Sequence, residues 1–124
     1  MGDAAAFRSG GGERGGGAGT QGWGGINVRP AAVVYLGGCW SMLFDEGFGR
    51  ADSYDEQTML AVSTDFKEWR RVTPSHRPCV RSAYGSGSIR YVDVVLRDGR
   101  AHYFHEYARD DTAQELRHAS VPIA

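Results

Sequence analysis

Long apolar runs are missing: no stretch approaches the roughly 20 residues that a membrane-spanning helix needs. Met1–Phe7 has no basic segment leading into an apolar core, so the start does not read as a secretory signal. Neither sign of charge dominates, with 14 Lys and Arg against 15 Asp and Glu and a formal net charge of -1. The basic residues are scattered beside acidic ones, which gives no expectation of a nucleic-acid or membrane partner. Cysteine is scarce. Cys39 and Cys79 fit no metal-ligand or redox spacing and are expected to be free thiols in a reducing, cytoplasmic compartment. A signal peptide lost from a longer protein would reverse that and make the chain secreted.

Helical periodicity is also absent over any window of the length a helix requires, which leaves an all-β reading. A nucleophile elbow is excluded because Gly85-Ser86-Gly87 lacks a strand before it and a helix after it. His102 and His105 are three apart, a spacing that sends strand side chains to opposite faces, so no shared metal site is expected. His76, in a loop with Pro74 and Pro78, has no evident partner. No cofactor is called for.

What the chain does have, first of all, is glycine. Of 18 glycines, 10 fall between Gly10 and Gly25. Such a stretch buries too few side chains to offset the entropy of ordering it, so residues 1–25 are expected to be a disordered leader. A phosphate-cradling loop would need a flanking strand and helix, and neither is present.

From Ile26 the character changes to short β-type runs, in a single domain spanning residues 26–124. Ala31–Leu36, Trp40–Phe44, Thr58–Ser63 and Trp69–Val72 read as strands, with Gly37-Gly38 as a hairpin turn and Asp45–Glu56 as a polar loop. The pattern then restarts with Ile89–Leu96, a turn at Arg97-Asp98-Gly99, Ala101–Tyr107 and Glu115–Val121. A shift of 61 places Arg29 on Arg90, Val33-Val34 on Val94-Val95, Gly38 on Gly99 and Asp45 on Glu106. After a shorter loop, Leu60-Ala61-Val62-Ser63 falls beside Arg117-His118-Ala119-Ser120. The expectation is a repeat of one antiparallel four-stranded meander, over 26–73 and 86–124, the second copy stopping where its fourth strand would begin. Sheets of this kind stack radially into β-propellers, which need at least about four units to close. The chain would then be an incomplete propeller, its remaining blades in a longer chain or an oligomer.

The segment Leu60-Ala-Val-Ser-Thr-Asp-Phe-Lys-Glu-Trp-Arg-Arg-Val72 is the most specific local signal. The side chains of Ser63, Thr64 and Asp65 are placed to bond backbone amides across a turn, and Trp69 to cover the apolar edge between neighbouring sheets. This pattern resembles five-bladed glycoside hydrolase propellers, notably families 43 and 32 and relatives such as 62, 68 and 130. The stretches from Arg29 to Glu46 and from Arg90 to Glu106 are similar to their inner two strands, so the resemblance covers roughly 26–121.

The resemblance implies glycosidic chemistry with paired carboxylates, one as acid and one as base or nucleophile. The slots where that family places its acids hold Arg29 and Arg90 instead, which is a departure. Asp93 is the nearest substitute, although its parity differs from that of Arg90 unless a bulge intervenes. Asp93 and Glu106 are therefore the candidate catalytic acids. Arg29, Arg90, Tyr91, Trp40 and Asp45 are the candidate substrate-binding residues. Each has a structural alternative: ion pairing for the arginines, inter-sheet packing for Trp40, Tyr91 and Tyr103, and a solvated strand-end position for Asp45, Glu46 and Glu106. The functional expectation is a fragment or degenerate copy of a glycoside hydrolase-like propeller with an oligo- or polysaccharide partner. A noncatalytic carbohydrate- or protein-binding module, or an incomplete gene product, is the alternative.

Overall fold

The structure, a computed structural model, describes residues 27–47, 56–74 and 77–123. The Gly-rich leader, most of the Asp45–Glu56 loop and His76 lie outside these residues. Among the described residues seven strands make up the regular structure, and none is helical. They are β1 (Asn27–Leu36), β2 (Cys39–Gly47), β3 (Gln57–Ser63), β4 (Arg70–Arg71), β5 (Ile89–Arg97), β6 (Arg100–Ala108) and β7 (Gln114–Pro122).

They form two antiparallel meanders in chain order, a four-stranded sheet β1-β2-β3-β4 and a three-stranded sheet β5-β6-β7. The second sheet thus has three strands among the described residues, as expected of a second copy that stops where its fourth strand would begin. The two hairpins arise from the same local device. Gly37 and Gly38 have φ of 62° and 84°, and Asp98 and Gly99 have 52° and 71°, so both central residues of each turn are left-handed. Those turns match the right-handed twist of the strands they join.

The registers carry the repeat. In the first hairpin Arg29 pairs with Asp45, Val33 with Met42 and Leu36 with Cys39. In the second, Arg90 pairs with Glu106, Val94 with Tyr103 and Arg97 with Arg100. Each of these six positions moves by the shift of 61 seen in the sequence. The third strands follow a different offset. Met42 faces Ala61 and its counterpart Tyr103 faces Ala119, so Ala61 corresponds to Ala119 rather than to His118 as expected. The loop between second and third strands differs in length between the copies, and pairing with β6, not sequence likeness, sets where β7 begins.

The first sheet carries the larger core. Met42, Phe44, Met59, Ala61 and Trp69 are buried together, with Val28 and Trp40 packed against them. Register puts Met42 and Phe44 on the same face as their partners Ala61 and Met59. Burying each large side chain contributes about 1.5–3 kcal/mol. Trp69 is buried in this cluster, with the Phe66 ring edge-on to it at 5.5 Å. In the turn after β3 Ser63 Oγ accepts the Phe66 N–H at 2.9 Å, and Asp65 Oδ1 accepts those of Lys67 and Glu68 at 2.8 and 2.9 Å. The hydrogen bonds expected of Ser63 and Asp65 are therefore formed, and they hold Phe66 at a φ of 64°.

Strand β5 lies against β1, β2 and β3 of the first sheet. Polar contacts fasten this junction: Thr58 Oγ1 donates to the Ile89 carbonyl at 2.7 Å, and Ser88 Oγ donates to the Glu56 carbonyl. The Cys79 N–H donates to the Thr58 carbonyl at 3.1 Å. Cys39 and Cys79 are free thiols, as expected.

Candidate functional site

Both first strands are bulged at the same place. The β1 register slips between Pro30 and Ala32, and the β5 register slips between Arg90 and Asp93. Among the described residues β1 pairs with β2 alone, and an edge strand tolerates proline, which has no N–H to donate. In β5 the bulge forces Tyr91 to a φ of 53°, a conformation that disfavours a large side chain. Asp45 meets the unpaired amide, accepting the Tyr91 N–H at 3.1 Å on Oδ2 and 3.3 Å on Oδ1. A carboxylate of one sheet thus holds a strained turn of the other.

The bulge also answers the parity question. Arg90 faces Glu106 and Asp93 faces Phe104, so three steps along β5 match two steps along β6. The extra residue returns Asp93 to the face of Arg90.

The acids and arginines near these bulges form a connected cluster across the two sheets. Arg29 Nη2 donates to Glu56 Oε1 at 2.7 Å. Arg90 Nη1 stands 3.6 Å from Glu56 Oε2, while its Nε donates to Glu106 Oε2 at 2.8 Å. Both guanidinium carbons lie 4.7 Å from the centre of the Tyr91 ring. Glu56 is buried, and its Oε2 has no hydrogen-bond partner among the described residues.

Asp45 is 1 % exposed. Burial, opposed by the Tyr91 amide, pushes its carboxyl up to about 6, with the Glu56 charge adding to the rise and Arg29 and Arg90 resisting it. An acid in that range keeps its proton below about pH 6, well above the range of an ordinary carboxylate, and so can give up a proton in mildly acidic solution.

An open cleft of about 540 Å³ follows the two bulges, lined by Arg29, Pro30, Ala31, Asp45, Tyr91, Val92 and Asp93. Of the residues singled out from sequence, it gathers Arg29, Asp45, Tyr91 and Asp93. Asp93 is exposed, and its Oδ1 accepts the N–H of Val94 at 2.9 Å. Arg90 and Glu106 lie beside the cleft as an ion pair, the structural alternative for Arg90. Trp40 is elsewhere, at the opposite end of β2, with its ring edge-on to Tyr35 and Phe66 at 5.1 and 4.8 Å. Tyr103 is likewise outside the lining.

Two expectations are corrected. Asp45 and Glu46 are not solvated strand-end acids; both are buried. Glu46 faces the other way from Asp45 and is held bidentately by Arg71, with both contacts at 2.6 Å. Arg71 also lies 5.4 Å from the centre of the Phe44 ring. Sequence reasoning passed over Glu56 and Arg71 because their partners are 27 and 25 residues away with no motif between them. It also passed over the pairing of His102 with His118, whose Nδ1 and Nε2 are 3.0 Å apart. The period-2 alternation across β6 and β7 was the available signal for that pair.

The arrangement of strands is similar to that in part of a solved structure of another protein. A structure described as a complex of BT0996 with RGII superposes with a TM-score of 0.54 at 17% identity, over 75% of this chain and 26% of that one. Another, described as "Glycoside hydrolase", gives a TM-score of 0.49 at 16% identity over 71% and 25%. The present chain therefore spans about a quarter of the length of each. No protein-family model and no curated protein matches the sequence.

Proposed function

We propose that the chain is part of a glycoside hydrolase-like β-propeller, and that the cleft between the two bulges receives a sugar unit of an oligo- or polysaccharide. The observation that carries this reading is the convergence of Asp45, Asp93, Arg29 and the exposed Tyr91 ring on one cleft at equivalent points of two repeated sheets. The Tyr91 ring, 42% exposed, offers an apolar face to a sugar ring, and the charged groups around it offer hydrogen bonds to hydroxyls. The shared fold with the RGII complex structure supports the same reading. Further copies of the unit, in a longer chain or a second subunit, would supply the rest of the propeller.

In this reading Asp45 is the proton donor, because its carboxyl is held near 6, and Asp93 is the second carboxylate. Glu106 is a positioning residue through its hold on Arg90. This moves the acid role from Glu106 to Asp45. If the carboxylates do not work as a pair, the same cleft acts as a noncatalytic binding site.

A panel of neutral and acidic oligosaccharides titrated into the labelled chain separates these outcomes. We expect the amides of Tyr91, Val92 and Asp93 to shift saturably in nuclear magnetic resonance spectra. Tyr91→Ala is expected to weaken binding at least tenfold. Hydrolysis that Asp45→Asn and Asp93→Asn each abolish supports the enzyme reading; binding without hydrolysis supports the module. Shifts confined to residues outside the cleft overturn both.

A further inference from the structure

The outer edges of the two sheets differ. In the first sheet the third strand is covered: β4 pairs with Ala61 and Val62, and the Leu60 carbonyl accepts the Val72 N–H at 2.8 Å. In the second sheet Ala119 holds the place of Ala61, and β7 has no strand beside it other than β6 among the described residues.

Two hydrogen bonds at the ends of the β6–β7 ladder fix which backbone groups of β7 point outward. The Arg109 N–H donates to the Ala113 carbonyl at 2.8 Å, and the Ile123 N–H to the Gly99 carbonyl at 2.9 Å. Antiparallel pairs alternate between bonded and non-bonded, so Glu115, Arg117, Ala119 and Val121 direct their amides and carbonyls to β6. Leu116, His118 and Ser120 turn theirs to the outer edge. The far half of that edge is blocked. Arg100 Nη2 donates to the Ser120 carbonyl at 3.1 Å, and Pro122, whose nitrogen faces the same way, has no N–H.

The near half is complementary to itself. A second copy laid antiparallel, Leu116 against Leu116, sets Glu115 against Arg117 twice across the two-fold axis. Leu116 is 76% exposed, more than any other large hydrophobic residue among those described. Glu115 and Arg117 share one face of β7, with Arg117 Nη2 at 2.5 Å from Glu115 Oε1. In this register they form non-bonded pairs, where facing side chains come closest, and two copies make a ring of four charges of alternating sign.

We propose that residues 114–118 of β7 pair with the same residues of a second copy of this chain, joining two three-stranded sheets into one of six strands. The second copy then stands beside β7 as β4 stands beside β3. The contact is short, so the dimer is weak and concentration-dependent. It leaves the cleft open, because no residue of the cleft lining belongs to β7.

The test is sedimentation velocity of the full chain from about 10 µM to 1 mM, the range in which a small interface is expected to assemble. A rise from monomer to dimer mass is expected. Leu116→Lys, which brings two like charges together on the axis, should weaken the dimer at least tenfold. Glu115→Arg alone and Arg117→Glu alone should each do the same. An equimolar mixture of those two variants should restore the dimer, since every facing pair is again of opposite charge, and misfolded variants would show no such rescue. In the unmutated chain, exchange of the Leu116 and His118 amides should slow as concentration rises. A chain that stays monomeric, a dimer or larger assembly that survives Leu116→Lys, or a mixture that fails to restore assembly overturns the proposal.

Discussion

Asp45 concentrates most of the physical tension in the molecule. Its carboxyl is buried, yet it must bond the strained Tyr91 amide and face the Glu56 charge. Because its folded pKa of about 6 is raised above the ordinary 3.8, the folded state holds this proton more tightly than the unfolded one. The resulting stabilisation is fully present below about pH 4 and is lost as pH rises through 6. Asp45→Asn keeps an acceptor for the Tyr91 N–H and removes the charge. It should therefore stabilise the chain at pH 8 by about 1–3 kcal/mol and make little difference at pH 4, as measured by urea unfolding at the two pH values. Equal effects at both would show that the buried charge is not the cause. Glu46 and Arg71 pose the opposite case, a buried pair already matched. Arg71→Met leaves the Glu46 carboxylate unpaired and should cost about 3–5 kcal/mol, whereas Glu46→Leu with Arg71→Met should recover much of that loss.

Elements are shaped here by a few turn residues. At Gly38 and Gly99 an added Cβ would meet nothing within 4 Å, so the requirement for glycine is purely conformational. Gly38→Ala and Gly99→Ala should each cost about 1 kcal/mol, read as a lower urea midpoint with an unchanged denaturant slope. A larger loss would mean that space, and not φ, is the constraint. The turns were legible in sequence because Gly37-Gly38 and Asp98-Gly99 encode a left-handed backbone within two residues. The alternation of the strands was legible for the same local reason. The start of β7 was not, since its register depends on pairing with β6, and a shorter loop displaced it by one position from the best sequence match. The two bulges were equally hidden: Arg29-Pro30-Ala31 and Arg90-Tyr91-Val92 share no residue signature for an extra step.

The whole molecule holds together through a polar seam between two sheets. Thr58, Ser88, Glu56 and Asp45 link β5 to the first sheet, while the main apolar cluster lies within the first sheet alone. Trp69→Ala removes the centre of that cluster and should destabilise by about 3–5 kcal/mol. If the seam couples the sheets, Thr58→Val should lower amide protection in both by the same factor in native-state hydrogen exchange. Protection lost in β5–β7 alone would show that the sheets unfold separately.

The order of residues was enough to dictate the short-range features: an all-β chain, hairpin turns at Gly38 and Gly99, and one strand plan written twice at a spacing of 61. Each depends on backbone preferences and a period of two, which act between residues a few positions apart. Packing of the two sheets had to settle which acids are buried, that Asp93 rejoins the face of Arg90, and that Trp40 stands apart from the cleft. Those outcomes depend on contacts such as Asp45 with Tyr91, 46 residues apart, where desolvation and ion pairing are set by how the sheets meet.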